Sequence, residues 1–281
     1  MGAGFAAAGT AASRSEMRVA VVIPSFRAST TIGDVLRGIG PIVDAIYVVD
    51  DGCPDDSGKQ ALRASDDRRL VVLRNRRNLG VGGAVKHGYR RALADGADIV
   101  VKLDADGQMD PADIPCLIAP IVEGNADYAK GNRFAPVSLM PPGSCPRALA
   151  AMPPSRRAAN RALSLTHRLA TGYRGVSDPA NGYTAIHAST LEQIGIDALA
   201  DCFFFETDML FRLKLAQAVV VDVPLPARYP GGVSSLSLRR VAPRFARLIV
   251  SRWLQRLRAR RAAGKFESAP LEPLWCRTPP C

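Results

Sequence analysis

The sequence predicts an α/β protein built on a doubly wound, mainly parallel sheet with flanking helices. Short β-branched runs alternate with helical stretches along the chain, an order that builds a parallel sheet covered on both faces. Acidic and other polar residues follow several of these runs directly, at the carboxyl ends where such sheets bind their ligands. The 281 residues, 47% hydrophobic and 22% charged, are sufficient for a buried core.

The predicted strands are four short runs rich in valine and isoleucine, separated by helical stretches. The strands are residues 19–24, 46–50, 70–74 and 99–104, and the helices cover roughly residues 30–39, 56–65 and 82–94. Because parallel strands end at the same edge of a sheet, we expect the polar residues that follow them to lie near one another.

The segment after the fourth strand, KLDADGQMDP, concentrates carboxylates that would repel one another without a nearby positive charge. Asp104 and Asp106 would point the same way if the segment stays extended, since side chains repeat every two residues. Gln108 can join them as a neutral oxygen ligand. This hard oxygen set suits Mg²⁺ or Mn²⁺, which would in turn hold a diphosphate. A plain acidic turn is the alternative, and for an isolated D-x-D motif it is the commoner meaning.

Two further motifs are expected at the same edge. Asp50 and Asp51, before the turn at Gly52, can accept hydrogen bonds from a base or a ribose, or can instead cap the next helix. Gly80, in the run NLGVGGA, opens a helix with a flexible backbone that allows a ligand to approach closely. A helix start packed closely on the sheet would explain these glycines equally well.

The positive charge of the chain is concentrated near its end. The net charge is +11, and residues 239–265 contain ten basic side chains and no acid, which leaves about +1 for the remainder. If residues 243–261 are helical, tryptophan and aliphatic side chains share one face and arginines lie off it. A basic amphipathic helix of this kind is typical of attachment to a membrane surface. Docking on the main domain and nucleic-acid binding are the alternatives.

The expected organisation is a disordered tail at residues 1–16, one main domain at 17–238, the basic amphipathic helix at 239–265 and a second tail at 266–281. No apolar run approaches the length that spans a bilayer. The six cysteines are scattered without a C-x-x-C pair, which favours a reducing cytoplasmic location over a zinc site or a disulfide framework.

Taken in order, the motifs between about Arg18 and Ser235 resemble the family-2 glycosyltransferases of the GT-A fold. The resemblance is to the branch related to dolichyl-phosphate mannose synthase. The motifs are VVIPSF, VVDDG, NLGVGGAVKHGYRRAL, KLDADGQMDP, YAKGNRF, SDPANGYTAI and FFFETDMLFRL. This ordered series is much more specific than the D-x-D motif alone.

The resemblance implies a binding site for a nucleotide-sugar donor at the strand ends. Pro24 and Phe26 help to seat the base, and one of Asp50 and Asp51 contacts the base or the ribose. The nucleotide and its metal are held by Asp104 and Asp106, with Gln108 as a further protein ligand of the metal. Arg133, in GNRF, corresponds to a phosphate-contacting arginine of the family.

The first motif departs from the family pattern, which usually reads Pro-Ala-Tyr-Asn-Glu. This chain has Pro24-Ser25-Phe26-Arg27-Ala28, so the acid is absent and an arginine is present. The identity of the base therefore stays open. Arg27 either favours a different nucleotide or faces solvent.

The second half of the resemblance concerns the acceptor. Asp178 lies in the loop that lines the acceptor pocket, and Glu206 aligns best with the general base of the family, with Asp208 close by. A base is needed only for a hydroxyl acceptor, because a lipid phosphate is already ionised. For a phosphate, Glu206 or Asp208 would instead position neighbours such as Arg133. The structural alternative is favourable charge in the first turn of a helix.

The predicted function is an inverting glycosyltransferase that uses a nucleotide-diphosphate sugar and Mg²⁺ or Mn²⁺. A polyprenyl phosphate is the leading acceptor and a sugar hydroxyl of an envelope glycan is the second. We expect peripheral attachment at the inner face of the cell membrane, because the resembled branch uses lipid-linked acceptors, and no nucleic-acid partner. The rival classes are a sugar nucleotidyltransferase, whose glycine-rich signature is absent, and a basic nucleic-acid-binding protein, whose patch would lie on the main body.

Overall fold

A computed structural model of the protein describes residues 17–135, 164–168, 171–173, 175–226, 250 and 254. The strands are β1 (Val19–Ser25), β2 (Ala45–Asp50), β3 (Leu70–Arg74), β4 (Ile99–Lys102), β5 (Tyr128–Asn132), β6 (Thr184–His187) and β7 (Val220–Pro224). The α-helices are α1 (Ile32–Arg37), α2 (Ser57–Ala64), α3 (Val81–Ala94), α4 (Ile114–Val122), α5 (Ala188–Ile194) and α6 (Phe205–Leu215), and two short 3₁₀ helices are Pro111–Asp113 and Ile196–Ala198.

The described strands form one seven-stranded sheet in the order β3-β2-β1-β4-β6-β5-β7. Only β6 runs antiparallel to its neighbours, β4 and β5, and the other pairs are parallel. The prediction of a mainly parallel sheet is therefore confirmed. The carboxyl ends of six strands and the beginning of β6 share one side of the sheet, which we call the carboxyl edge.

Both faces of the sheet are buried, as a doubly wound fold requires. On β1, Val21 and Ile23 point into the core beneath α1 and α4, whereas Val22 points into the core beneath α3, α5 and α6. All three side chains are fully inaccessible to solvent. Such continuous aliphatic strands are expected where both faces of a sheet are covered, and they make the sheet a rigid support for the loops at its carboxyl edge.

The fourth strand is shorter than predicted. β4 ends at Lys102, paired with Val22 of β1, and the chain then turns instead of staying extended to Asp104. Gly107 has φ of 71°, in the left-handed region that glycine adopts without strain. Thr31 at the start of α1 donates a hydrogen bond of 2.6 Å to the carbonyl of Ala105. The turn at residues 105 and 106 means that the segment does not stay extended as far as Asp106, so the condition under which Asp104 and Asp106 would point the same way is not met.

The predicted tails and most of the predicted basic helix lie outside the described residues. Within residues 239–265 the structure describes only Val250 and Leu254, whose side chains are both exposed. Among the described helices, none has the length and apolar character needed to cross a membrane.

Candidate active site

A buried lysine holds the first aspartate of the acidic motif. Lys102 is 1% exposed at the end of β4, and its Nζ lies 2.7 Å from Asp104 Oδ1 and 2.9 Å from Glu206 Oε1. The same ammonium donates a hydrogen bond of 3.2 Å to the carbonyl of Gly182. An ammonium group has three donors, and these contacts use all three. Part of the positive charge that the crowded carboxylates require is thus supplied by the chain itself.

A second buried lysine approaches Glu206 from the neighbouring strand. Lys130 in β5 is inaccessible to solvent, and its Nζ lies 3.6 Å from Glu206 Oε2 and 2.5 Å from the carbonyl oxygen of Asn181. Glu206 stands in the first turn of α6, as predicted. Its two carboxylate oxygens therefore face two different lysine ammonium groups.

The two lysines respond differently to burial. For Lys102, burial opposes the charged form, but the carboxylates of Asp104 and Glu206 outweigh this and raise the pKa of Lys102. For Lys130, burial dominates and lowers the pKa, and the charges of Glu206 and Asp178 only partly compensate. The raised pKa favours the charged form of Lys102, whereas the lowered pKa makes the charged form of Lys130 less favourable.

The loop before β6 packs directly on this ion-pair cluster. A β-carbon at Gly182 would lie 2.5 Å from Lys102 Nζ and even closer to the carboxylate of Asp104. Asn181 is buried and donates from Nδ2 to the carbonyl of Gly131 at 2.7 Å. A side chain at position 182 would therefore displace the Lys102 ammonium or the Asp104 carboxylate, so the glycine of the SDPANGYT motif allows this ion pair to form as observed.

Asp106 and Gln108, the predicted metal ligands, lie in the turn that follows Asp104. Asp106 is exposed, and its Oδ1 accepts a hydrogen bond of 3.0 Å from the backbone N–H of Gln108. The pKa of Asp106 is nevertheless raised. The larger cause is partial desolvation of its carboxylate by the surrounding protein atoms, and the second is the negative charge of Asp104. A carboxylate destabilised by a neighbouring carboxylate fits a hard divalent cation, and the side chain of Gln108, two residues along the same turn, offers an oxygen of the kind such a cation takes. In the part of the chain that the structure describes, no cluster of three or more His, Cys, Asp or Glu side chains is placed to hold a metal.

Arg133 and Asp178 form a bidentate ion pair at the carboxyl edge, where Arg133 directly follows β5. Arg133 Nε lies 2.7 Å from Asp178 Oδ2, and an Arg133 Nη atom donates to Asp178 Oδ1 at 3.0 Å. Asp178 is inaccessible to solvent. Paired guanidinium and carboxylate groups of this geometry fix the plane of the arginine, so Asp178 orients the predicted phosphate-contacting residue.

Asp208 is not brought to the cleft. It is fully buried two residues after Glu206 in the same first turn of α6, where Oδ2 accepts a hydrogen bond of 3.1 Å from the backbone N–H of Ala200 and lies 3.4 Å from Arg212 Nε. The hydrogen bond from Ala200 holds the first turn of α6 against the segment that precedes the helix.

Asp50 and Asp51 are buried at the end of β2. Asp51 accepts three hydrogen bonds, from Asn75 Nδ2 at 2.7 Å and from the backbone N–H groups of Leu79 and Gly80 at 2.9 Å each. Asp50 accepts from the backbone N–H of Cys53 at 2.8 Å. Both acids therefore shape the loops beside the predicted base site, and a direct contact with the base or ribose stays a prediction.

The glycines at the start of α3 pack against another loop. A β-carbon at Gly82 would overlap the carbonyl oxygen of Ala200, and one at Gly80 would lie 2.7 Å from that of Asp201. Lys86 of α3 reinforces this contact with an ion pair of 2.5 Å to Asp201. Close packing thus accounts for these glycines, although the contact is with the loop before α6 and not with the sheet.

Pro24 and Phe26 lie at the end of β1, on the opposite side of the β2 turn from Gly80. Phe26 is 43% exposed, and the Arg27 guanidinium carbon lies 5.5 Å from the centre of its ring. Arg27 has φ of 55°, an uncommon conformation for a residue with a side chain. Arg27 is exposed and covers one face of the Phe26 ring, and whether it favours a particular nucleotide stays a prediction.

Sequence reasoning missed Lys102, Lys130 and Gly182 as members of the site. A signal was present, because a lysine inside a buried aliphatic strand is rarely tolerated without a charged partner. Both lysines occur in such strands, within VVKLD and YAKGN. The pattern reveals that each needs a partner, but it does not identify Glu206 as the shared one.

The class of protein is shown by comparison with known families. Residues 20–178 match the model of Glycosyl transferase family 2, and the chain belongs to that family. The predicted family is confirmed, as is the prediction of an enzyme that transfers sugar.

Several curated relatives are similar over most of their length. The undecaprenyl-phosphate mannosyltransferase of Micrococcus luteus is 34% identical over 216 residues, which cover 74% of this chain and 83% of the relative. The polyprenol monophosphomannose synthase of Mycolicibacterium smegmatis is 28% identical over 257 residues, covering 89% of this chain and 92% of the relative. A third relative is the UDP-N-acetylglucosamine–dolichyl-phosphate N-acetylglucosaminyltransferase of Methanococcus voltae. It is 27% identical over 223 residues, which cover 74% of this chain and 85% of the relative.

A solved structure supports the fold assignment. Glucosyl-3-phosphoglycerate synthase from Mycobacterium tuberculosis, crystallised with Mn²⁺, UDP and phosphoglyceric acid, aligns with a TM-score of 0.60. The alignment covers 86% of this chain and 79% of that chain at 21% identity. Similarity at this level bears on the fold alone, and it agrees with the predicted GT-A architecture.

Proposed function

We propose that this glycosyltransferase moves a sugar, with inversion, from a nucleotide-diphosphate sugar to a polyprenyl phosphate. The observation that carries this proposal is the state of Glu206. A general base needs a carboxylate oxygen directed at the acceptor hydroxyl, within about 2.6–3.2 Å. Glu206 Oε1 instead pairs with the Lys102 ammonium at 2.9 Å, and Oε2, which accepts no hydrogen bond among the described residues, lies 3.6 Å from the Lys130 ammonium.

The acceptor chemistry follows from this arrangement. A lipid phosphate is already ionised at neutral pH and attacks the anomeric carbon without losing a proton to the protein. Asp178 and Asp208, the other acids predicted for this role, are fully buried and paired with Arg133 and Arg212. The names of the Micrococcus, Mycolicibacterium and Methanococcus relatives also refer to undecaprenyl, polyprenol and dolichyl carriers.

The donor would lie along the carboxyl edge from β1 to β5. Asp106 and Gln108 would hold Mg²⁺ or Mn²⁺, which when bound neutralises charge on the leaving diphosphate. Lys102 fixes the Asp104 carboxylate beside this pair, and Asp178 fixes the guanidinium of Arg133 for contact with phosphate. Preorganised charges of this kind stabilise a transition state because they need no reorientation during the reaction.

Replacing Glu206 with Gln distinguishes the two acceptor classes. For a lipid phosphate we expect Glu206→Gln to retain a substantial fraction of turnover, since no proton is removed. For a sugar hydroxyl, loss of a base would lower the rate by roughly 10²–10⁴-fold. The assay gives the purified enzyme one active donor with either undecaprenyl phosphate or a simple glycan.

Asp178→Asn should be measured beside Glu206→Gln, with thermal unfolding of both variants as a control for folding. Transfer only to the glycan, together with a nearly inactive Glu206→Gln enzyme, would reject the lipid-phosphate acceptor. The assignment to the glycosyltransferase family would be unaffected by that result.

We also propose peripheral attachment to the inner face of the cell membrane through residues 239–265. Removing residues 239–281 should weaken binding to anionic vesicles, and binding of the full chain should fall steeply with salt, because the ten basic side chains act through screened charge. Vesicle co-sedimentation at two salt concentrations measures both effects. Undiminished binding of the shortened chain would place the attachment elsewhere.

A further inference from the structure

We propose that the protein also docks on anionic lipid through a surface of the main domain, beside the predicted base site. We call this surface the arginine patch, and it consists of Phe26, Arg27, Arg76, Arg77 and Leu79. The proposal rests on the proposed function, since a lipid-linked acceptor requires the cleft to face a bilayer. It differs from attachment through residues 239–265, because it fixes which side of the folded domain meets the lipid.

The members of the arginine patch are gathered around one turn, residues 51–53. On one side, the backbone N–H of Arg27 lies 2.7 Å from Cys53 Sγ. On the other side, a β-carbon at Gly52 would lie 2.6 Å from the carbonyl carbon of Arg77. Asp51, in the same turn, accepts the hydrogen bond from the backbone N–H of Leu79. The segments after β1 and β3 are thus held against a common turn at the carboxyl edge.

Charge and apolar surface occur together in the patch. Phe26 is 43% exposed and Leu79 is 40% exposed, and the three arginines are exposed as well. Among the residues that the structure describes, no acid lies within ion-pair distance of Arg27, Arg76 or Arg77.

Asp51 in the turn accepts three hydrogen bonds, and Asp55 and Asp56, which follow the turn, are also engaged. Asp56 pairs with Lys59 at 3.0 Å and with Arg74 at 3.7 Å, so its charge is directed at residues outside the patch. Asp55 Oδ1 accepts a hydrogen bond of 2.6 Å from Ser57 Oγ, and Oδ2 accepts one of 3.1 Å from the backbone N–H of Ser29. The positive charge of the patch is therefore left for an external partner.

An anionic bilayer fits this combination better than a soluble anion does. Guanidinium groups bind lipid phosphates at the membrane surface, and neighbouring aromatic and aliphatic side chains enter the headgroup region. Phe26 already has a role in the predicted base site, but a soluble phosphate would use the arginines and leave the exposed side chain of Leu79 without a role. Each basic residue close to an anionic membrane strengthens binding by roughly fivefold.

The position of the patch orients the catalytic cleft. It lies at the carboxyl edge with Asp104, Asp106 and Arg133, so a lipid plane that touches the patch faces the side on which a lipid-borne phosphate must arrive. β7 also ends at this edge, at Pro224, and the sequence that carries ten basic residues follows it along the chain.

The test compares matched arginine pairs in the full-length chain. Vesicles of phosphatidylcholine with and without phosphatidylglycerol are co-sedimented with the protein, in the absence of donor and acceptor. The variant Arg76→Gln, Arg77→Gln lacks two charges of the patch. Because each lost charge should weaken partition about fivefold, partition onto the anionic vesicles should fall by roughly 30-fold in total. The control is Arg63→Gln with Arg68→Gln, two exposed arginines near the amino-terminal side of the sheet, and it should leave the partition within about twofold of wild type.

A second matched pair tests the apolar part of the patch. Leu79→Ser should weaken partition, whereas Leu62→Ser, at a leucine of α2 that is 56% exposed, should not.

Wild-type partition of the Arg76→Gln, Arg77→Gln chain would overturn the proposal. If that chain instead loses affinity for UDP or GDP while its vesicle binding is unchanged, the arginines serve the donor and the proposal is also rejected. Vesicle binding through the patch without sugar transfer to a polyprenyl phosphate would reject the proposed function and leave the docking surface standing.

Discussion

Asp106→Ala is expected to abolish metal-dependent donor binding and to lower sugar transfer by roughly 10²–10³-fold, the usual loss on removing one electrostatic stabiliser. The reason is the position of Asp106, exposed in the turn after Asp104, with a pKa raised by desolvation and by the neighbouring carboxylate. A bound divalent cation would relieve that repulsion. Calorimetry with Mn²⁺ and either UDP or GDP measures the binding.

The fold should be unaffected, because the hydrogen bond that Asp106 accepts within the described part of the chain is a local one, from the backbone N–H of Gln108. Asp66→Ala, at an exposed aspartate away from the carboxyl edge, is the matched control and should bind as wild type. Removing metal from the wild-type enzyme with EDTA should reproduce the Asp106→Ala defect. Equal binding of donor and Mn²⁺ by Asp106→Ala and wild type would show that the metal assignment is wrong.

Lys102→Met is expected to lower the free energy of unfolding by about 3–5 kcal/mol, the cost of leaving a buried charge without its partner. Lys102 is 1% exposed and contacts Asp104, Glu206 and the carbonyl of Gly182, so its loss leaves both carboxylates under-compensated. Urea denaturation followed by circular dichroism measures the change. If the free energy of unfolding falls by less than about 1 kcal/mol, the buried ion-pair cluster is contradicted, because a change that small is typical of ion pairs exposed to solvent.

Lys59→Met provides the control for this prediction. Lys59 forms an ion pair with Asp56 at the surface, where both side chains are about half exposed, and its replacement should cost less than about 1 kcal/mol. A double variant, Lys102→Met with Glu206→Leu, should lose less stability than the two single variants added together. Such non-additivity is expected of residues that share one charge cluster.

The cluster also explains why the motif order revealed the family but not the role of each acid. Glu206 was a candidate base by its position in FFFETDMLFRL, and Asp178 by its position in SDPANGYTAI. Neither motif contains the cation that each acid faces. Lys102 lies at the end of β4, and Lys130 and Arg133 lie in and just after β5, so each acid meets its cation only through the tertiary fold.

The sequence by itself determined the fold class, the family and the edge at which the site lies. Aliphatic runs define buried strands because burial on both faces requires apolar side chains throughout, and this information is local. The match to the family model is likewise read from residues in order along the chain. The predicted boundaries of β3 are those observed, and those of the other predicted strands differ by one or two residues.

Only the tertiary structure decided how the charged groups are paired. Ion pairing depends on distances of a few ångströms between residues far apart in the chain, and sequence patterns do not specify such distances. Lys102 at the end of β4, Lys130 in β5 and Glu206 in α6 converge because strand order and helix placement bring three separate segments together. That convergence pairs the carboxylate predicted as a base with a lysine ammonium, and it is the physical reason for proposing an ionised phosphate as the acceptor.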